Sequence, residues 1–164
     1  MALIKCFSCG AETDDIDGAA HSYLLSTPGC WATYGEVLAR EYSDFAYWAV
    51  HDLTVDTYSI QHPGQPSRQT ISSLNVHLSS LYAYFKLDVS AGELSNIKVK
   101  VVQHKDQFVW LEPPDCLGHL TINDILRAEN ATQHYELVNQ WAEDVFNQWQ
   151  DFHPVVQALL ETSM

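Results

Sequence analysis

Apolar positions recur at spacings of three and four through Trp31, Tyr34, Leu38 and Tyr42, the period of a helix that buries one face. The same period returns in Trp48, His51, Val55, Tyr58 and His62, with Asp44 placed to cap a helix running to His62. Pro63-Gly64 stops that helix, and Pro66-Ser67 opens a third, whose stripe is Ile71, Leu74, Leu78, Leu81 and Phe85. So short a connection predicts an antiparallel helical hairpin. Beyond Ser90-Ala91-Gly92 the period changes. Ile97, Val99 and Val101 alternate with Lys98 and Lys100, as in a half-buried strand, and Phe108-Val109-Trp110-Leu111 reads as its partner. This predicts a β-hairpin near 97–111, ended by Pro113-Pro114. Thr121-x-x-Asp124 resembles a capping box. Thr132 is expected to cap the last long helix, striped by Val138, Trp141, Val145, Trp149 and Phe152, and Pro154 to begin a short terminal helix.

The first thirty residues lack such periodicity. They are acidic (Glu12, Asp14, Asp15, Asp17) and punctuated by Gly18, Pro28 and Gly29, so another interaction must order them. Cys6-Phe7-Ser8-Cys9-Gly10 supplies a candidate. Two cysteines two residues apart, followed by glycine, form a knuckle that holds a metal from two sides. His21 and Cys30 complete Cys6-x2-Cys9-x11-His21-x8-Cys30, a Cys₃His set suited to tetrahedral Zn²⁺. A rival source of ligands lies at the far end of the chain, where Cys116-Leu117-Gly118-His119 offers a Cys-x2-His pair. The expectation is a mainly α protein: a zinc-knuckle-like module over residues 1–30 on a helical domain over 31–164, with the hairpin inserted. A filled four-ligand shell leaves no open position, so the expected role of the metal is structural.

Composition narrows the partners. The chain has 164 residues, 46% of them hydrophobic, enough for a core without disulfides. Eight basic residues face 21 acidic ones, a net charge of −13. Nucleic-acid binding needs Lys and Arg to neutralise phosphate, and an anionic membrane needs the same, so neither is an expected partner. No apolar run approaches the ~20 residues that span a bilayer. The N-terminus runs into the knuckle without a secretory pattern, which places four cysteines in a reducing cytoplasm as metal ligands rather than as disulfides.

A second constellation falls on the helical hairpin. His51 precedes Gly64 by thirteen residues and His77 follows it by thirteen, so both are expected at one level, ~20 Å from the turn at 1.5 Å per residue. With Asp56 alongside, they could form a metal or acid–base centre. The plainer alternative is two buried histidines hydrogen-bonded to Asp, Tyr or backbone. No HExxH pair, phosphate loop or Gly-x-Ser-x-Gly elbow is present.

Several stretches resemble an uncharacterised bacterial family, a domain of unknown function. They are Asp17-Gly18, His21, Tyr23, Ser26 and Cys30-Trp31; Tyr34-Gly35-Glu36-Val37-Leu38-Ala39-Arg40-Glu41-Tyr42; His51-x-Leu53-Thr54-Val55-Asp56; Gln61-His62-Pro63-Gly64 with Pro66-Ser67-Arg68; Val76-His77-Leu78; and Trp141-Ala142-Glu143 with Trp149. The resemblance covers most of 6–81 and part of 121–160, and leaves 86–120 unmatched. It implies a bacterial cytoplasmic protein whose Cys-x2-Cys, His and Cys belong to one module, and it transfers no catalytic role.

Two function classes follow. One is a zinc-stabilised helical module that binds a protein or a small molecule. The other is a metal-dependent, hydrolase-like enzyme centred on His51, Asp56 and His77. The charge balance gives a first prediction: no salt-sensitive gel shift of DNA or RNA at micromolar protein and physiological salt. A shift that weakens as salt rises would contradict it.

Overall fold

The computed structural model describes residues 2–164. Its elements in chain order are β1 (Leu3–Lys5), β2 (Glu12–Asp14), α1 (Pro28–Ser43), α2 (Phe45–Trp48), α3 (His51–Gln61), α4 (Arg68–Lys86), α5 (Leu94–Val102), α6 (Ile122–Leu126), α7 (Ala131–Gln148) and α8 (His153–Ser163). β1 and β2 pair antiparallel with Ile4 opposite Thr13, the only sheet among the described residues. The mainly helical architecture matches the expectation from periodicity, but the hairpin belongs to the N-terminal segment, where it encloses the Cys6–Cys9 knuckle.

Residues 97–111 are therefore corrected. Leu94, Ile97 and Val101 are buried at helical spacing, whereas Val99 is 64% exposed. Over five residues, alternation and one helical turn place the same two apolar residues inward, and only the exposure of Val99 separates them. Tertiary contact decides for helix, because Ile97 and Val101 fill a small core with Val76 and Ala83 of α4 and Leu159 and Leu160 of α8. Residues 108–114 form neither strand nor helix, and Asn75 Nδ2 holds the Val109 carbonyl at 2.8 Å.

Local chemistry sets most other boundaries as expected. Ser67 caps α4 by accepting from the Thr70 amide, and Thr121 and Asp124 make a reciprocal capping box on α6. Asp44 does act as a cap, but on the four-residue α2. The chain then breaks at Ala49-Val50 before α3. The cap of α7 is Asn130, not Thr132, because the Asn130 side chain accepts from the Gln133 amide.

The main core joins Val37 of α1, Leu53 and Ile60 of α3, Leu74, Leu78 and Leu81 of α4, and Trp141, Val145, Phe146 and Trp149 around α7. At its centre α3 packs against α4, α7 and α1. Every residue from Leu53 to His62 except Val55 is buried, and most of them are polar. Two buried carboxylates lock this arrangement. Glu41 of α1 receives His51 Nδ1 at 2.9 Å, the Thr54 hydroxyl at 2.6 Å and His134 Nε2 of α7 at 2.8 Å. Asp56 of α3 receives His77 Nδ1 of α4 at 2.6 Å, Lys98 Nζ of α5 at 2.8 Å and the Ser80 hydroxyl.

Burial alone would push both carboxyl groups up. The hydrogen bonds from His134, His51 and Thr54 outweigh it for Glu41, and those from His77 and Lys98, with the Lys98 charge, outweigh it for Asp56. Both groups end below their ordinary values of 4.5 and 3.8. A depressed carboxylate contributes stability above its unfolded value and loses it as pH falls through the folded one. Unfolding midpoints in urea should thus decline as pH drops below about 4.5, and Glu41→Gln should flatten that decline. Asp56→Ala should cost about 3–5 kcal/mol at neutral pH, because it leaves Lys98 buried without its closest partner. A pH-independent midpoint between 5 and 3, or a loss below about 1 kcal/mol for Asp56→Ala, would contradict the assignment.

Candidate metal centre

The knuckle begins with β1. Cys6 follows the strand, its amide donating to the Ala11 carbonyl at 2.9 Å, while the Gly10 amide closes onto the Cys6 carbonyl at 3.1 Å. Gly10 has φ +77°, a left-handed conformation that glycine adopts without penalty. The turn aims the Ala11 amide at Cys9 Sγ, 3.4 Å away. Cys30 arrives from the first turn of α1, where Pro28 sits near the start and the Thr27 hydroxyl accepts from the Cys30 amide at 3.3 Å. Gly29 lets β2 approach this turn: a Cβ there would lie 2.4 Å from the Asp14 carbonyl oxygen. Any larger residue would drive the hairpin away from α1 and separate Cys30 from the knuckle.

The fourth member is His62, at the end of α3. One atom each from Cys6, Cys9, Cys30 and His62 lie within 4.8 Å of one another. Cys9 Sγ and Cys30 Sγ are 3.8 Å apart, and Cys30 Sγ and His62 Nε2 are 3.5 Å apart. A tetrahedral metal with arms of ~2.3 Å to sulfur and ~2.0–2.1 Å to nitrogen has S···S edges of about 3.8 Å and S···N edges of about 3.5 Å. These two separations match such edges, and the other pairs lie within 4.8 Å. His62 Nδ1 donates to the Tyr58 carbonyl at 2.8 Å, which fixes the tautomer and leaves Nε2 as a lone pair facing the sulfurs. The Tyr58 hydroxyl lies 3.4 Å from Cys30 Sγ. Burial pushes its phenol up, so it remains a donor to a thiolate.

Three thiols this close cannot all ionise by themselves. Hydrogen bonds from Cys30 and Cys9 hold Cys6 far below the usual thiol value. Cys9 is pushed up by Cys30 and Cys6, and Cys30 rises to about 12, chiefly through Cys6. The group thus accommodates one negative charge readily and resists the second and third. A divalent cation bound there would reverse that preference by holding all three as thiolates.

The other expected ligands stand apart. Nδ1 of His21 accepts from the Tyr23 and Leu24 amides at 3.2 and 3.3 Å, organising a local turn, and its ring packs on Tyr23 and Trp31. The histidine that converges with Cys6, Cys9 and Cys30 is His62, brought from 41 residues further along the chain by helix α3. Cys116 is exposed, and neither it nor His119 joins the cluster, so the rival pair does not replace Cys30. The signal for His62 was present in the sequence, as an inward-facing histidine one turn after Tyr58 and with no acidic neighbour.

His51 and His77 each serve a different carboxylate, Glu41 and Asp56 respectively. His51 also stacks on Trp48, with ring centroids 4.3 Å apart. Besides the Cys₃His cluster, no group of three or more His, Cys, Asp or Glu side chains converges as metal ligands would among the described residues.

Fold and site together define a small helical protein with a Cys₃His cluster between an N-terminal hairpin and the central helix of a bundle. The chain belongs to DUF5946, a family of unknown function, whose profile matches residues 4–150. Comparison with curated proteins and with solved structures gives no match. No helix among the described residues is long and apolar enough to cross a membrane.

The two histidines separate cleanly by mutation. His62→Ala and Cys30→Ser should each abolish metal retention through gel filtration, while His21→Ala should keep it. Far-UV circular dichroism should remain helical in all three, because the helices bury their own apolar stripes. Metal retained in His62→Ala and lost in His21→Ala would restore the ligand set read from spacing.

Proposed function

We propose that Cys6, Cys9, Cys30 and His62 hold one structural Zn²⁺ and that the protein is a non-catalytic binding module built around it. The observation that carries this reading is the convergence of the four side chains within 4.8 Å, with the Cys9–Cys30 and Cys30–His62 separations equal to edges of a ZnS₃N tetrahedron. Three thiolates and one imidazole fit zinc among the common divalent ions, since calcium and magnesium prefer oxygen. All four tetrahedral positions belong to the protein, and Cys6, Cys30 and His62 are buried, which leaves no coordination site for a substrate or an activated water. Reduced cysteine ligands suit a reducing compartment such as the cytoplasm. The net charge of −13 points to a protein partner or a small molecule rather than to nucleic acid.

The enzyme alternative, a hydrolase-like centre at His51, Asp56 and His77, has less behind it. Its two histidines belong to different hydrogen-bond networks, and Lys98 already neutralises Asp56. Elemental analysis of protein purified without added metal should find one zinc per chain. Less than about half an equivalent in a normally folded preparation would overturn the proposal, and a second equivalent would favour the enzyme.

A further inference from the structure

An open groove of about 940 Å³ runs between the first half of α4, the end of α5 and the short turn at 105–107. Tyr23, Ile71, Val102 and Phe108 give it apolar walls, and Arg68 and Lys105 line it with cationic groups. We propose that this groove binds an amphipathic organic anion: a carboxylate or phosphate group carried on an aliphatic or aromatic body. The inference rests on the reading of the chain as a binding module and names the class of ligand.

The size falls within the range of small-molecule sites, roughly 300–1,000 Å³. Charge supplies the chemistry. On a chain with eight basic and 21 acidic residues, cations are scarce and acidic partners plentiful. Lys98 is engaged by Asp52 and Asp56, Arg127 by Asp124, and Arg40 by the carbonyls of Ile125 and Leu126. Lys5, Lys86, Lys100, Arg68 and Lys105 form no ion pair among the described residues, and of these Arg68 and Lys105 border one groove. Asp106 is the carboxylate on its rim, so the lining stays net positive on a strongly negative protein. A guanidinium fork and an ammonium beside apolar walls match an anionic head on an apolar body. A cationic ligand would meet both groups unfavourably, and a neutral one would leave them without a role. The wall at Tyr23 is also fixed in place, because the Leu25 amide nearby donates to the His62 carbonyl at 3.1 Å.

The test uses the fluorescent anion 8-anilinonaphthalene-1-sulfonate with the full chain at neutral pH. We expect saturable binding at one site, weakened about tenfold or more in the Arg68→Gln/Lys105→Gln double variant. Ser72→Trp, which fills the groove from its floor, should abolish the signal. Octanoate or octyl phosphate should displace the probe and octan-1-ol should not, and whichever anion acts at lower concentration identifies the head group. No saturable binding, unchanged affinity in both variants, or equal displacement by the alcohol would overturn the proposal. Zinc measured on the same samples keeps the two readings apart. Full zinc with no probe binding removes only the groove, and intact probe binding without zinc removes only the structural metal.

Discussion

Helix α3 has to be both central and polar, and the rest of the bundle is arranged to satisfy it. Between Leu53 and His62 only Val55 escapes burial, yet the buried set includes Thr54, Asp56, Thr57, Ser59, Gln61 and His62. A buried polar group without a partner costs about 1–3 kcal/mol, and more when charged. Each of these side chains therefore demands a partner, and the partners come from different elements. Thr54 binds Glu41 of α1. Asp56 binds α4 and α5. Gln61 uses its amide on the Leu117 and Leu120 carbonyls and its oxygen on Trp141 of α7. His62 faces the cysteines. The exceptions are Ser59, whose hydroxyl turns back to the Val55 carbonyl of α3 itself, and Thr57, whose hydroxyl is buried without a partner. Apolar packing brings the helices together, but these directional bonds decide which helix lies on which side and at what height.

The N-terminal segment depends on the last of these contacts. Two strands of three residues make a hairpin that is at best marginal alone. Its packing on the bundle is slight in area: Cys6, Ala11 and Leu24 are its buried apolar contributions to the main core. A metal bound by Cys6 and Cys9 on the hairpin, Cys30 on α1 and His62 on α3 would join three separate elements at one point, and the free energy of coordination would then stabilise their relative placement. Gly29 and Gly10 are the local conditions for it, one by permitting close approach and the other by permitting the turn.

What could be read in the sequence follows the distinction between local and non-local physics. The stripe of α4, the Ser67 and Thr121 caps, the proline start of α8 and the Cys6–Cys9 knuckle depend on neighbours within a turn or two, and all appear where expected. Ile97–Val101 was ambiguous because the alternation and the helix agree on the residues that matter, and the deciding contact lies more than fifty residues away in α8. The part played by His62 is non-local in the same way. Proximity in sequence favoured His21, whereas the fourth member is set by where α3 ends in space. The equal spacing of His51 and His77 from Gly64 measured height along the hairpin but not direction around each helix. Burial of Glu41 and Asp56 then drew each histidine to its own carboxylate.

This last point bears on function. Histidines beside carboxylates on inward helix faces suggest acid–base chemistry when met in a sequence. In this fold the same groups also answer the needs of a buried polar helix: His51 and His77 each give Nδ1, and His134 gives Nε2, to a buried carboxylate. Asp56 alone takes up His77, Lys98 and Ser80, and Glu41 takes up His51, His134 and Thr54. Of the five cations without an ion pair or side-chain hydrogen bond among the described residues, Arg68 and Lys105 share one open, apolar-walled groove. The distribution of satisfied and unsatisfied charge thus directs attention away from the polar interior, which holds the molecule together, and toward a surface where a ligand can still supply the missing partner.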